Sequence, residues 1–241
     1  MNTGIQDAWN IGWKVALVAG GAANPALLDT YGAEREPVGR AVLRFTDRAF
    51  TAATSTSRLL RLLRTKVAPR VLQLAFGYAK GRAIGFRAVS QLAISYRGSP
   101  AVEDGRPGLR RGPRAGDRVP DAPVTVDGRP QTLHRALAAP GFHLLLVGPD
   151  ELWDGADDPL PGARAAPVDT HRLTRRPGTD GLVDGGGDIH RRLGLDRADR
   201  AAQYLIRPDL HIAYLAAGTD LTGLHAYLDR WIPRGAPTSG R

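Results

Sequence analysis

The feature that most constrains the fold is a change of hydrophobic period partway along the chain. Up to about residue 97, apolar residues recur at three- and four-residue steps. In Arg58-Leu59-Leu60-Arg61-Leu62-Leu63-Arg64 this spacing puts the arginines on one helix face and the leucines on the other. From about residue 118, short apolar runs of strand length take over, Phe142-His143-Leu144-Leu145-Leu146-Val147 being the clearest. Between them, residues 98–117 are dominated by Gly, Pro, Arg and Asp and carry no period. The expected organisation is a helical part over 1–97, a linker over 98–117, a strand-bearing domain over 118–234 and a disordered tail over 235–241.

Punctuation residues refine this division. Thr3 is placed to cap a first helix over residues 4–19, with Gln6 closing a capping box and Gly20-Gly21 as its stop. A second helix starts near Pro25, and Pro37 perturbs it or separates it from a continuation. Further helical stretches are expected over 38–53, 57–66 and 71–90, and a short strand over 91–96. In the second domain, Asp127-Gly128 after Val124-Thr125-Val126 marks a hairpin turn. A short helix over 132–138, strands over 142–147 and 168–173, and a helix over 189–193 follow. Two antiparallel strands about a Pro208-Asp209 turn and a closing helix over 221–231 complete the chain. Strand, helix, strand, helix, hairpin, helix is a thioredoxin-like order.

The chain's 241 residues suffice for one large or two modest domains with ample core. The absence of cysteine excludes disulfides, thiolate metal sites and C-x-x-C redox chemistry. A thioredoxin-like domain here would therefore serve packing or association. No apolar run is long enough for a transmembrane helix and no signal-peptide pattern is present, so a cytoplasmic location without a membrane partner is expected. The net charge of +9 comes from arginine, the lysines being only Lys14, Lys66 and Lys80. Such a balance raises nucleic-acid binding. The densest cluster, however, is the solvated face of an amphipathic helix, and no nucleic-acid partner is expected.

Other chemistry finds little support. The histidines are scattered without i, i+4 pairs or H-E-x-x-H, so no metal site is expected. His143, inside an apolar strand, reads as a core residue. No G-x-S-x-G elbow occurs. Gly185-Gly186-Gly187 lacks a P-loop lysine and reads as a turn before a helix. Asp154-Gly155-Ala156-Asp157-Asp158 lacks the later glutamate of a calcium loop and reads as solvated.

The opening, Met1-Asn2-Thr3-Gly4-Ile5-Gln6-Asp7-Ala8-Trp9-Asn10-Ile11-Gly12-Trp13-Lys14, carries the most specific signal. A helix start with a small glycine and free backbone amides is a ready anion site. The stretch resembles the flavin-facing loop and helix of FAD-dependent aromatic hydroxylases of the phenol and polyketide type. Met1, Asn2, Gly4, Asp7, Ala8, Asn10, Trp13 and Lys14 fall on that family's pattern, and Ile11 and Val15 replace leucines. Residues 26–38 resemble its next helix, with Gly32 and Glu36 as departures and Glu34/Arg35 reading as a structural ion pair. Ser99-Pro100, the run from Ala115 to Ala122 (A-G-D-R-V-P-D-A) and Arg207-Pro208-Asp209-Leu210-His211-Ile212-Ala213-Tyr214 resemble later passages.

The resemblance implies an α+β, α/β chain: the helical C-terminal part of an FAD-binding domain, then a cysteine-free thioredoxin-like domain. It implies that Met1, Asn2 and Thr3 face the isoalloxazine ring, where a helix dipole stabilises reduced flavin. It implies FAD as cofactor, NAD(P)H as reductant and a phenolic or polyketide-type aromatic substrate, with no catalytic protein nucleophile. Residues 1–97 contain no G-x-G-x-x-G fingerprint for the cofactor pyrophosphate, which the resemblance places before residue 1. The chain is therefore expected to be the C-terminal part of a longer hydroxylase and inactive by itself, with a missing N-terminal portion or a second copy as partner. The alternative is a non-catalytic scaffold or association module built on the thioredoxin-like domain, its helices exposing apolar faces.

Overall fold

The computed structural model describes residues 2–78, 94–105, 109, 111–154, 159–162, 164–176, 181–197 and 200–235. Expectations that fall on the remaining residues lie outside the described part. These are the end of the helix over 71–90, residues 91–93 of the strand over 91–96, most of the loop over 154–158 and the tail beyond 235.

Eight strands form one sheet among the described residues. In chain order they are β1 (Glu103–Asp104), β2 (Pro123–Val126), β3 (Arg129–Thr132), β4 (Phe142–Val147), β5 (Val168–Thr174), β6 (Leu182–Val183), β7 (Ala202–Ile206) and β8 (Ile212–Ala217). Their spatial order is β1-β8-β7-β4-β5-β6-β2-β3. The middle strand β4 runs parallel to β5 and antiparallel to β7, and β7 turns back into β8. This arrangement is consistent with the thioredoxin-like expectation.

All of β4 is buried because both sheet faces are covered. Phe142, Leu144 and Leu146 point into one cluster with Trp13, Leu27, Tyr214, Tyr227, Leu228 and Trp231. Leu145 and Val147 point the other way, against Leu133, Leu173, Ile189, Leu193, Tyr204 and Ile206. The period of two in a strand thus divides one apolar run between two cores. Asp127 (φ 49°) and Gly128 (φ 74°) make the left-handed pair that a two-residue turn between β2 and β3 requires.

The first face is roofed by three helices: α1 (Asn2–Ala19), the start of α2 (Ala26–Thr54) and the last helix, α7 (Thr222–Trp231). Helix α1 ends as its double glycine dictates. Gly21 takes φ 68°, its amide reaches the Val18 carbonyl at 3.0 Å, and the Ala22 amide reaches that of Leu17 at 2.8 Å. Trp13 then sets its ring edge-on to Phe142 of β4, with centroids 5.6 Å apart. The second face carries the short helices α5 (Leu133–Ala136) and α6 (Asp188–Arg192). Beyond its buried start, α2 runs on into α3 (Arg58–Leu62), a π-helical turn (Leu63–Val67) and α4 (Ala68–Gly77).

Four expectations need correction. Pro37 neither ends nor divides the second helix, since the 29-residue α2 runs through it unbroken. Both Pro37 and Ala33, whose carbonyl loses its partner, are exposed, so water can replace the missing amide. Thr3 is not a cap, because α1 already includes Asn2 and Thr3 lies in its first turn. Residues 94–96 are not a strand; the Tyr96 amide instead bonds the Gly116 carbonyl at 2.8 Å. Residues 98–117 are more than a linker. They contribute β1 parallel to β8, bury Ala101 and Ala115, and receive the Tyr227 hydroxyl on the Ala101 carbonyl at 2.8 Å.

Candidate functional site

The flavin-facing residues expected from sequence stand at the start of α1. Met1 lies outside the described residues, Asn2 is the first residue of the helix, and Thr3 follows in the first turn. The Thr3 carbonyl accepts Arg35 Nη2 at 3.4 Å. No acidic residue occupies the first turn, so nothing there neutralises the positive end of the helix dipole. A Cβ built on Gly4 would meet nothing within 4 Å, so the first turn is open to a large group. These features fit the polar, electron-accepting edge of a flavin.

Directly behind this helix start lies a buried ion cluster that the sequence reading missed. Glu34 of α2 is its hub. Arg207, at the end of β7, donates from Nη1 to Glu34 Oε1 at 2.6 Å and from Nη2 to Oε2 at 2.9 Å. Its other edge takes Asp209 through Nε at 3.0 Å and Nη2 at 2.5 Å. Lys14 Nζ of α1 reaches Glu34 Oε2 at 2.9 Å, Thr30 Oγ1 at 2.8 Å and Asn10 Oδ1 at 3.1 Å. Asn10 Nδ2 and Ser99 Oγ complete the Glu34 shell at 2.6 and 2.7 Å. The arginine plane also faces the rings of Trp13 and Tyr96, at 5.0 and 5.3 Å to their centroids.

Two carboxylates meet two cations here with almost no solvent exposure, which is tolerable only because nearly every polar atom finds a partner. The electrostatics follow. Burial pushes Glu34 up, but Arg207, Lys14 and Asn10 outweigh it and hold the carboxyl at about 2. Burial, reinforced by the Arg207 charge, pulls the Lys14 ammonium down to about 8 against the opposing pull of Glu34. A second link runs in parallel. Arg35 Nε donates to Asp7 Oδ1 at 2.6 Å and Nη1 to the Tyr96 hydroxyl at 3.0 Å.

The cluster explains the motif residues. From the sequence, Asp7, Asn10 and Lys14 fall in a motif and Glu34/Arg35 read as a structural ion pair of unknown partners; in the fold they hold three distant segments together. Their partners beyond the two helices are Tyr96, Ser99 and Arg207, up to 173 positions away. The available signal was chemical: a lysine and an asparagine on the apolar side of α1, and an Arg-Pro-Asp turn inside an otherwise apolar hairpin. Beside the cluster is a cleft of about 290 Å³ lined by Ile5, Gln6 and Trp9 of α1 and by Tyr96, Arg118 and His211. Tyr96 and His211 meet in its lining, with ring centroids 4.4 Å apart and planes tilted by 35°.

The remaining sequence candidates fall elsewhere. His143 is buried on β4, with Nδ1 3.1 Å from His171 Nε2 and Nε2 3.0 Å from the Ala139 carbonyl. No group of metal ligands is assembled among the described residues. Gly185-Gly186-Gly187 is a turn before α6, with Gly187 at φ 66°.

Two family models match this chain: FAD binding domain over residues 1–46, and Aromatic-ring hydroxylase, C-terminal, over residues 112–237. The chain belongs to the second of these families. Among curated proteins it is 32% identical over 239 residues to 6-methylpretetramide 4-monooxygenase of Streptomyces rimosus, covering 95% of this chain and 40% of that protein. Among solved structures it is similar to the OxyS anhydrotetracycline hydroxylase of Streptomyces rimosus, with TM-score 0.61 and 27% identity over 97% of this chain and 41% of that one. It is also similar to aklavinone-11 hydroxylase, solved as a ternary complex with FAD and aklavinone, with TM-score 0.59 and 26% identity over 95% of this chain and 39% of that one. The chain thus spans about two fifths of the length of the relatives it matches.

Proposed function

We propose that this chain is the C-terminal portion of an FAD-dependent monooxygenase that hydroxylates a phenolic or polyketide-type aromatic ring, with NAD(P)H as reductant. The observation that carries this reading is the open, acid-free start of α1, on the stretch that matches an FAD binding domain. The names of the similar proteins agree with it. Met1, Asn2 and Thr3 would face the isoalloxazine ring, with residues 1–97 as the helical end of the FAD-binding domain, 98–117 as a connection that also adds β1 to the sheet, and 118–234 as the thioredoxin-like domain.

Bound FAD would supply the oxygen activation. The chain's own residues do the positioning. First-turn amides and the positive end of the α1 dipole favour negative charge on the reduced ring. The ion cluster fixes the helix that carries those amides. Preorganised donors of this kind need no rearrangement at the moment of reaction.

The test is a chimera. The aligned C-terminal portion of the anhydrotetracycline hydroxylase is replaced by this chain, and FAD content, NAD(P)H oxidation and hydroxylated product are measured. Retained FAD with coupled product formation is expected. A folded chimera that binds FAD and oxidises NAD(P)H without hydroxylating would overturn the reading. A second reading, an association module, rests on the apolar side chains exposed along α2 to α4. A monodisperse monomer in light scattering would overturn that one.

A further inference from the structure

The parallel strands β4 and β5 end side by side, Val147 opposite Leu173, and the chain leaves them through Gly148-Pro149 and Arg175-Arg176. Crevices outside the carboxyl ends of neighbouring parallel strands are a common place for ligands in open sheets. A cavity of about 80 Å³ stands there, lined by Gly148, Pro149, Thr174, Arg175, Arg176 and His190. It is far smaller than the cleft beside α1 and suits a compact ion with its waters. It lies outside the ion cluster and shares no residue with it.

The lining is a set of donors. Arg175 gives Nη2 to the Leu195 carbonyl at 2.9 Å, but its buried Nε has no partner, and among the described residues no carboxylate pairs with the guanidinium. A buried donor of a charged group left unsatisfied is costly, and it leaves this cavity-lining guanidinium short of acceptors. His190 is buried, with Nδ1 2.8 Å from Asp184 Oδ2. Asp184 is itself fixed by the amides of Asp188 at 2.9 Å and His190 at 2.8 Å. The carboxylate engages Nδ1, so Nε2 is the polar atom the imidazole offers the cavity. Thr174 Oγ1 accepts the Arg176 amide at 3.1 Å, which leaves its hydroxyl hydrogen to donate. Arg176 is tied to Glu151 at 2.7 Å in an exposed pair.

We propose that this crevice binds a compact tetrahedral oxyanion, the phosphoryl group of a small molecule or free phosphate, gripped by Arg175 and by the Nε2 proton of His190. The guanidinium fork matches the oxygen spacing of such a group. The carboxylate behind the imidazole holds its ring in place.

The experiment titrates the full chain with inorganic phosphate, phenyl phosphate, acetate and chloride, read by calorimetry and by the His190 imidazole resonances. Saturable phosphate binding that shifts His190, and that weakens about tenfold or more in Arg175→Gln, is expected. Partial recovery in Arg175→Lys is expected as well. Tighter binding of phenyl phosphate than of phosphate assigns the site to a phosphorylated metabolite; the reverse assigns it to the free ion. Acetate binding as tightly as phosphate, binding no stronger than chloride, or undiminished binding by a folded Arg175→Gln variant overturns the proposal. If that variant does not fold, an unmoved His190 resonance in the unaltered chain at saturating phosphate overturns it equally.

Discussion

The two ends of α2 lie in opposite surroundings, one buried and one exposed. Its first turns bury Leu27, Thr30, Glu34 and Arg35, and Glu34 alone ties α1, β7 and residue 99 together. Its second half exposes Leu43, Phe45 and Phe50 at 65%, 75% and 68%. The same continues through α3 and the π-helical turn, where no residue is buried. Apart from Leu152, the large apolar side chains exposed among the described residues all lie between residues 5 and 78. An amphipathic pattern is enough to make a helix, but burial needs a partner surface, and among the described residues only one end of α2 has one.

The contrast can be broken by substitution. Glu34→Gln removes the hub and leaves Arg207 and Lys14 buried against too little negative charge. A loss of about 3–5 kcal/mol in a denaturant titration is expected, and a near-neutral result would mean the cluster is hydrated in solution. Leu144→Ala, on the α1-facing side of β4, is expected to cost about 2–5 kcal/mol by transfer and cavity together, with α1 loosening alongside the sheet.

Acid sharpens the comparison. Glu34 titrates at about 2 in the fold against an ordinary value of 4.5, so its ionisation adds stability above pH 4.5. That contribution is lost as pH falls from about 4.5 towards about 2. Melting temperatures across this window should fall more steeply for the unaltered chain than for Glu34→Gln, and parallel slopes would remove Glu34 as the cause.

On the distal half, Phe50→Ser and Leu59→Ser are expected to change stability by no more than about 0.5 kcal/mol. A loss like that of Leu144→Ala would show that this face is covered in solution. The smallest effect concerns hydrogen exchange, in which amides of residues 40–54 should exchange well before those of β4, because local opening there uncovers almost no buried surface.

The sequence by itself determined local matters, because local physics sets them. The period of three and four made the helices, and the apolar run 142–147 made the central strand. Gly20-Gly21 ended α1 and Asp127-Gly128 turned the first hairpin. The family was legible too, since Met1 to Lys14 and Arg207 to Tyr214 are long motifs. Tertiary structure decided what no local pattern encodes. It kept α2 running through Pro37, whose lost hydrogen bond faces water. It drew residues 103–104 out of a presumed linker into the sheet. It also gave Glu34 its partners, which converge from residues 10, 14, 99 and 207. A buried charge is stable only where several distant groups meet around it, and that meeting exists only once the chain has folded.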